Sequence, residues 1–214
     1  MLLRSTRLVF VICGFFCICG DILANNPLKD TASFVLVKQN NGITLYERWY
    51  AINPHQQARE VKATFTVNAG SEAAVALIKD ESRGRKWNRN TEEYRVLPSA
   101  DNMWFSYIQY DLPWPVSNQD CVLRYDQNYS GDSMEIVFRN TQHPAFPIQK
   151  RIQRIPEISG KWIFRETARG MDVEYYITTT PSATLPTWIT DPIIRNNLIE
   201  TLQHFKRILE QKRS

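Results

Sequence analysis

Apolar and polar positions alternate in short runs along most of the chain and shift to a helical period in two places. Residues 34–37 form a brief apolar run, Asn40, Asn41 and Gly42 read as a turn, and residues 43–48 alternate as a strand does. The opening element is therefore a hairpin. Val61, Ala63, Phe65 and Val67 then alternate with Glu60, Lys62, Thr64 and Thr66. That is an antiparallel strand with one dry and one wet face. At Ser71 the period lengthens. Ala74, Val75, Leu77 and Ile78 make a helical stripe, Ser71 is its expected N-cap, and a charged stretch follows over residues 79–89. Strands are expected again over residues 93–97, 103–110, 121–128, 134–140, 151–155, 160–166 and 171–178, punctuated by Gly131, Gly160 and Gly170.

The end of the chain is helical. Ile194, Leu198, Leu202, Phe205 and Leu209 step by three or four and share one face. Asp191 and Pro192 read as an N-cap and a proline at the first helical position, which leaves Trp188 and Ile189 in a separate lead-in. A run of antiparallel strands with one amphipathic helix folded across it is an α+β arrangement. A strongly curved sheet around a helix cannot close tightly, so a cavity between the two is expected. No Gly-, Ser- or Pro-rich linker and no internal repeat divides this part, which reads as one domain over residues 25–214.

Residues 1–24 read as a signal peptide. Arg4 and Arg7 supply a positive start, residues 8–19 are almost unbroken apolar, and Ala24 offers a small residue before a cut at Asn25. About a dozen apolar residues is short of the roughly 20 a membrane span needs. The expected destination is the periplasm or the extracellular space, with membrane anchoring if the segment is not cleaved. Its removal takes Cys13, Cys17 and Cys19, so Cys121 is left alone in an apolar strand pattern and no internal disulfide is expected.

Composition narrows the function. With 43% hydrophobic and 22% charged residues in 214, the chain can build a core and is not disordered. A formal charge of +4, scattered along the chain, argues for no nucleic-acid partner. Six Trp, nine Tyr and ten Phe stand out. Aromatic residues fill cores, line ligand cavities and sit at membrane interfaces. His55, His143 and His204 have no metal-ligand spacing, no nucleophile or phosphate-binding motif is present, and no cofactor or metal is expected.

One stretch is unusual. Pro113 and Pro115 stiffen a loop between two strands and hold Trp114 at its tip. Trp114 either tucks into the core or belongs to an apolar loop guarding a cavity mouth. Pro113, Pro115, Ser117, Asp120 and Val122 resemble the P-x-P-x-S-x-R-D-x-V signature of the START (StAR-related lipid transfer) family. Asn41-Gly42-Ile43 with Leu45-Tyr46 resembles that family's first strands. Trp87-Asn88 with Asn90, Gly160-Lys161-Trp162 and Leu185-Pro186-Thr187-Trp188 resemble further landmarks, those of an exported or bacterial-type member. The resemblance covers residues 30–210.

It implies a helix-grip fold, a curved antiparallel sheet wrapped around the C-terminal helix, with a tunnel for one lipid or sterol-like molecule. The implied lining is Trp104, Gln109, Leu123, Tyr125, Phe138, Trp162, Tyr176 and Leu198. The implied lid is Leu112, Pro113, Trp114, Pro115 and Val116, facing Leu185, Trp188, Ile189, Ile193 and Ile194. Two departures stand out. Gln119 replaces the signature arginine, and positions where relatives place a Glu and an Arg as polar anchors carry Gln109 and Tyr125, which hydrogen-bond without charge. This leans toward a neutral hydroxylated ligand.

The expected function is a non-enzymatic carrier, monomeric and in transient contact with a membrane surface. The basic residues Arg195, Lys206, Arg207, Lys212 and Arg213 either attract anionic head groups or form a solvated helix face. Two alternatives stay open. One is an enzyme on a polyketide-like substrate, with Tyr107, Tyr125 or Glu135 as conceivable acid–base groups. The other is a module that senses a lipid and docks a partner.

Overall fold

A computed structural model describes residues 33–112, 114, 117–180 and 187–211. The side chains of residues 187–189 are not described. The expected signal peptide, residues 1–24, lies outside this range, as do Pro113, Pro115, Val116 and Leu185 of the expected lid.

The chain order is β1 (Val35–Asn40), β2 (Ile43–Asn53), β3 (Gln56–Val67), α1 (Ser71–Ile78), α2 (Glu81–Trp87), β4 (Thr91–Ala100), β5 (Met103–Tyr110), β6 (Gln119–Ser130), β7 (Ser133–Asn140), β8 (Gln153–Arg154), β9 (Ile158–Thr167), β10 (Gly170–Thr179) and α3 (Thr187–Glu210). The strands form one curved sheet in the order β1-β2-β3-β10-β9-β7-β6-β5-β4, antiparallel throughout, with β8 added in parallel to β6. The helix α3 lies across the inner face and packs against β2, β3, α1 and α2. This is the expected α+β helix-grip arrangement.

The opening hairpin turns at Asn41 (φ 49°) and Gly42 (φ 76°). Two consecutive positive φ angles make the tight turn that suits twisted strands, and Asn-Gly adopts it at least cost.

Several local expectations are corrected by contacts made far along the chain. The residue capping α1 is Gly70, and Ser71 is the first helical residue. The Ser71 N–H is instead satisfied by the Glu166 carboxylate of β9 at 2.7 Å. The charged stretch after α1 contains a second helix, α2. Asp80 caps it by accepting from the Arg83 N–H at 3.0 Å. The strand expected over residues 151–155 shrinks to the two residues of β8, because the preceding segment packs as a loop on the outside of β5. There Phe146 stacks on Tyr107 at 5.1 Å and His143 lies against Phe105 at 4.8 Å.

The helix α3 begins at Thr187, ahead of the expected Asp191 cap, and carries Pro192 in its interior. Asp191 does not cap because its carboxylate turns inward to Arg59 at 2.8 Å. Pro192 cannot donate to the carbonyl four residues earlier, so the helix is weakened at this point.

Candidate functional site: the space between sheet and helix

Strand phase decides what faces the helix. In the registered pairs, Trp104 lies opposite Tyr125, Tyr125 opposite Phe138, Ile136 opposite Trp162 and Trp162 opposite Tyr175. Cross-strand partners share a face. The inner face therefore carries Trp104, Leu123, Tyr125, Phe138 and Trp162, all buried.

Gln109 and Tyr176 do not belong to it, which corrects their expected place in the tunnel. Gln109 projects from the outer side of β5, where its Oε1 accepts from Tyr107 at 3.2 Å and its amide donates to Glu92. Tyr176 sits on the outer side of β10, with the ammonium groups of Lys62 and Lys161 at 5.3 and 5.7 Å from its ring centroid. Its neighbour Tyr175 takes the inner position. Tyr107 and Glu135, two of the three conceivable acid–base groups, are also on the outer face. Tyr107 donates within the outer loop network, and Glu135 pairs with Lys161 at 3.4 Å. The third, Tyr125, is inward but sandwiched, stacked on Trp104 at 4.9 Å. Desolvation pushes its hydroxyl well above the ordinary range.

The far end of the grip is filled by aromatic rings. Phe205 of α3 meets Trp87 at 5.2 Å and Trp162 at 4.9 Å, and Trp162 stacks on Phe164 at 5.8 Å. Leu202 and Phe205 are wholly inaccessible, and Ile199 nearly so. Two clefts of about 500 Å³ and about 510 Å³ open on the surface at this end. They are lined by residues such as Asn68, Arg169 and Glu210, and Asn41, His204 and Lys206. They lie outside the grip.

Toward the other end the filling changes. Tyr110, Tyr175, Ile177 and Leu198 point inward yet remain only partly buried. Burial nevertheless pushes the hydroxyls of Tyr110 and Tyr175 up strongly. These inward groups are close to the core but incompletely covered by neighbouring side chains. The segment linking β5 to β6 lies at this same end, and Trp114 within it is 91% exposed. Leu112 is half-buried there. Asp120, the signature acid at the start of β6, is buried and holds Arg154 through two hydrogen bonds at 2.6 and 3.1 Å. Its task is to fasten the outer loop beside the mouth.

The inward stripe of α3 also differs from its expected course. Leu198, Leu202, Phe205 and Leu209 follow it, but Ile194 is 38% exposed and Ile193 half-buried. Asp191 and Arg195 continue the stripe instead, four residues apart, and meet Glu47 and Arg59 of the sheet. Arg195 was expected on a membrane-facing or solvated helix surface and Asp191 as a cap, while Glu47 and Arg59 were not singled out. A signal existed. Glu47 follows Ile43 and Leu45 at strand spacing, and Arg59 precedes Val61, Ala63 and Phe65 in the same phase.

Among the described residues no group of His, Cys, Asp or Glu has the arrangement of a metal site. Cys121 is fully buried, and desolvation pushes its thiol up to about 12. At ordinary pH it is protonated and sheltered, the opposite of a nucleophilic thiol.

A curved sheet gripping a helix, with inward side chains left partly accessible at one end, is the architecture of hydrophobic-ligand binding proteins. The START domain profile matches residues 34–214, and this chain belongs to the START domain family. A STAR-related lipid transfer protein from Xanthomonas axonopodis superposes with a TM-score of 0.72 at 26% identity, covering 83% of this chain and 99% of that one. Human StAR-related lipid transfer protein 5 superposes with a TM-score of 0.70 at 15% identity, over 85% of this chain and 88% of that one. The Zhui aromatase/cyclase of Streptomyces shares the fold more loosely, with a TM-score of 0.53 at 15% identity, over 72% and 94% of the two chains. In sequence, the uncharacterized protein PA1579 of Pseudomonas aeruginosa is 23% identical over 212 residues, 99% of this chain and 98% of its own. The fold indicates binding or transfer of a hydrophobic ligand.

Proposed function

We propose that this protein binds one lipid or sterol-like molecule between its sheet and α3 and carries it between membranes or across the cell envelope. The observation that carries this reading is the accessible inward surface of Tyr110, Tyr175, Ile177 and Leu198 beside an end closed by aromatic rings. Each methylene buried there gains about 0.8 kcal/mol over water. A bilayer offers the same gain, so a carrier need only match it. Lipid identity is then read by polar groups.

Exit and entry are assigned to a mouth formed by Leu112 and Trp114, which precede β6, and by the first turns of α3 with Ile193 and Ile194. Membrane contact is assigned to Trp114, whose exposed indole suits the interface between acyl chains and head groups. Pro113, Pro115, Val116, Leu185, Trp188 and Ile189 complete the proposed lid. In this reading Trp104, Leu123, Tyr125, Phe138, Trp162 and Leu198 form the lining, joined by Tyr110, Tyr175 and Ile177. The protein acts as an exported monomer.

An enzymatic reading finds support in the likeness to an aromatase/cyclase, but of the three acid–base candidates two face outward and Tyr125 is stacked and hydroxyl-protonated. The carrier reading is therefore preferred. Its test is native mass spectrometry of the protein as isolated, together with lipid transfer between donor and acceptor liposomes. Bound lipid and catalysed transfer are expected. A protein that neither holds nor moves any lipid class would overturn the reading.

A further inference from the structure

Four charged side chains meet at the mouth end of the grip, on its inner face. Glu47 and Arg59 lie on β2 and β3, and Asp191 and Arg195 on successive turns of α3. Arg195 donates from Nε and Nη2 to the two oxygens of Glu47 at 2.8 and 2.7 Å. Arg59 Nη1 donates to Asp191 Oδ1 at 2.8 Å, and Arg195 Nη2 reaches Asp191 Oδ2 at 3.5 Å. The side chains of Arg59 and Glu47 are each 3% exposed and that of Asp191 8%. The Arg59 guanidinium lies over the Trp49 indole at 5.5 Å.

Holding a helix in place does not require such a cluster, because well-packed apolar residues of similar volume do as well or better. One detail points beyond a structural role. Arg59 Nε is buried and makes no hydrogen bond. A buried N–H without a partner is rare in folded proteins and calls for an explanation. Inward-facing residues that are only partly covered lie beside it. Thr179, the cross-strand partner of Arg59, and Ile177 beside it face inward and keep accessible surface.

The charge balance sets the chemistry. Two guanidiniums and two carboxylates leave no surplus cation for an anionic head group, which would instead approach Asp191 and Glu47. An ammonium would meet Arg59. An uncharged oxygen with a free lone pair meets the waiting N–H without either conflict.

We propose that this quartet is a head-group subsite in which Arg59 Nε–H donates to an uncharged acceptor oxygen, an ester carbonyl or a hydroxyl, on an otherwise apolar ligand. The inference rests on the carrier reading and narrows its ligand class. Burial lowers the Arg59 pKa despite the nearby carboxylates, so the group is poorly solvated and gains from a further acceptor.

The test uses delipidated full-length protein mixed with phosphatidylcholine vesicles that contain either dioleoylglycerol or dioleoylphosphatidate, followed by native mass spectrometry. Extraction of dioleoylglycerol in preference to phosphatidate is expected, and the lipid held by the protein as isolated should carry ester or hydroxyl oxygens without phosphate or carboxylate. Arg59→Lys keeps a cation beside Asp191 but removes the Nε donor, and should lower dioleoylglycerol loading about tenfold. The double variant Arg59→Met/Asp191→Leu removes the pair without stranding a charge, and should load as poorly with an unchanged circular dichroism spectrum. Wild-type loading in either folded variant, or a preference for phosphatidate, overturns the subsite while leaving the carrier intact. Wild-type protein that holds and extracts no lipid overturns the carrier reading, and the subsite with it.

Discussion

Arg195 of α3 grips both oxygens of Glu47 of β2 across a separation of 148 residues, at 2.8 and 2.7 Å. This fork joins the helix to the sheet beside Pro192, where the helical hydrogen bonding is interrupted. The mouth end of α3 is thus held by charge, and the far end by the rings around Phe205.

Removing one partner of the fork strands the other. Arg195→Ala leaves Glu47, 3% exposed, without its cation and should cost about 3 kcal/mol in urea unfolding. The double variant Glu47→Leu/Arg195→Met should recover most of that loss. Equal instability in the two would mean the fork is not what holds the helix.

Trp114 is 91% exposed, so its removal leaves the fold alone. Trp114→Ala should keep the thermal midpoint within error, yet slow liposome-to-liposome transfer several-fold by weakening insertion at the interface. Unchanged transfer would detach this residue from membrane contact.

Acid should loosen the protein through two carboxylates. Desolvation raises Asp80, but hydrogen bonds from Ser82 and from the Arg83 side chain and backbone together outweigh it and hold Asp80 at about 2. Desolvation likewise raises Glu174, while Tyr176, Lys62 and Arg165 bring it down to about 2. Both folded values lie below the unfolded ones, so their stabilisation is complete above about pH 4–5 and lost as pH falls toward 2. Asp80→Asn should flatten this acid limb in pH-dependent urea midpoints, and an unaltered limb would count against it.

Gly84 of α2 lies against Tyr94, whose ring would stand 2.2 Å from an added Cβ. The ring cannot easily retreat, since its hydroxyl donates to the Ile78 carbonyl at 2.9 Å. Gly84→Ala therefore should destabilise by about 1–3 kcal/mol despite alanine's higher helix propensity. Stabilisation by the same substitution would show that the α2–β4 contact is soft.

The α+β order, the Asn41-Gly42 turn and the amphipathic C-terminal half of α3 were legible because each follows from short-range pattern. Phase failed where pattern was silent. Residues 103–110 are apolar on both faces, since an outer loop covers one of them with Phe146 and His143, so Gln109 could not be assigned. Tyr175 and Tyr176 are identical neighbours, and only pairing with Trp162 and Lys161 tells inside from outside.

By itself the sequence determined most of the strands, the helix α1 and the amphipathic part of α3, and through its ordered motifs the family, because hydrophobic period and turn chemistry are local properties. The tertiary structure alone decided that Glu47, Arg59, Asp191 and Arg195 meet, and that Trp114 faces outward while Trp87 and Phe205 seal the far end. Those residues come from elements distant along the chain. Their meeting depends on sheet curvature and on where α3 settles, and no local pattern encodes either.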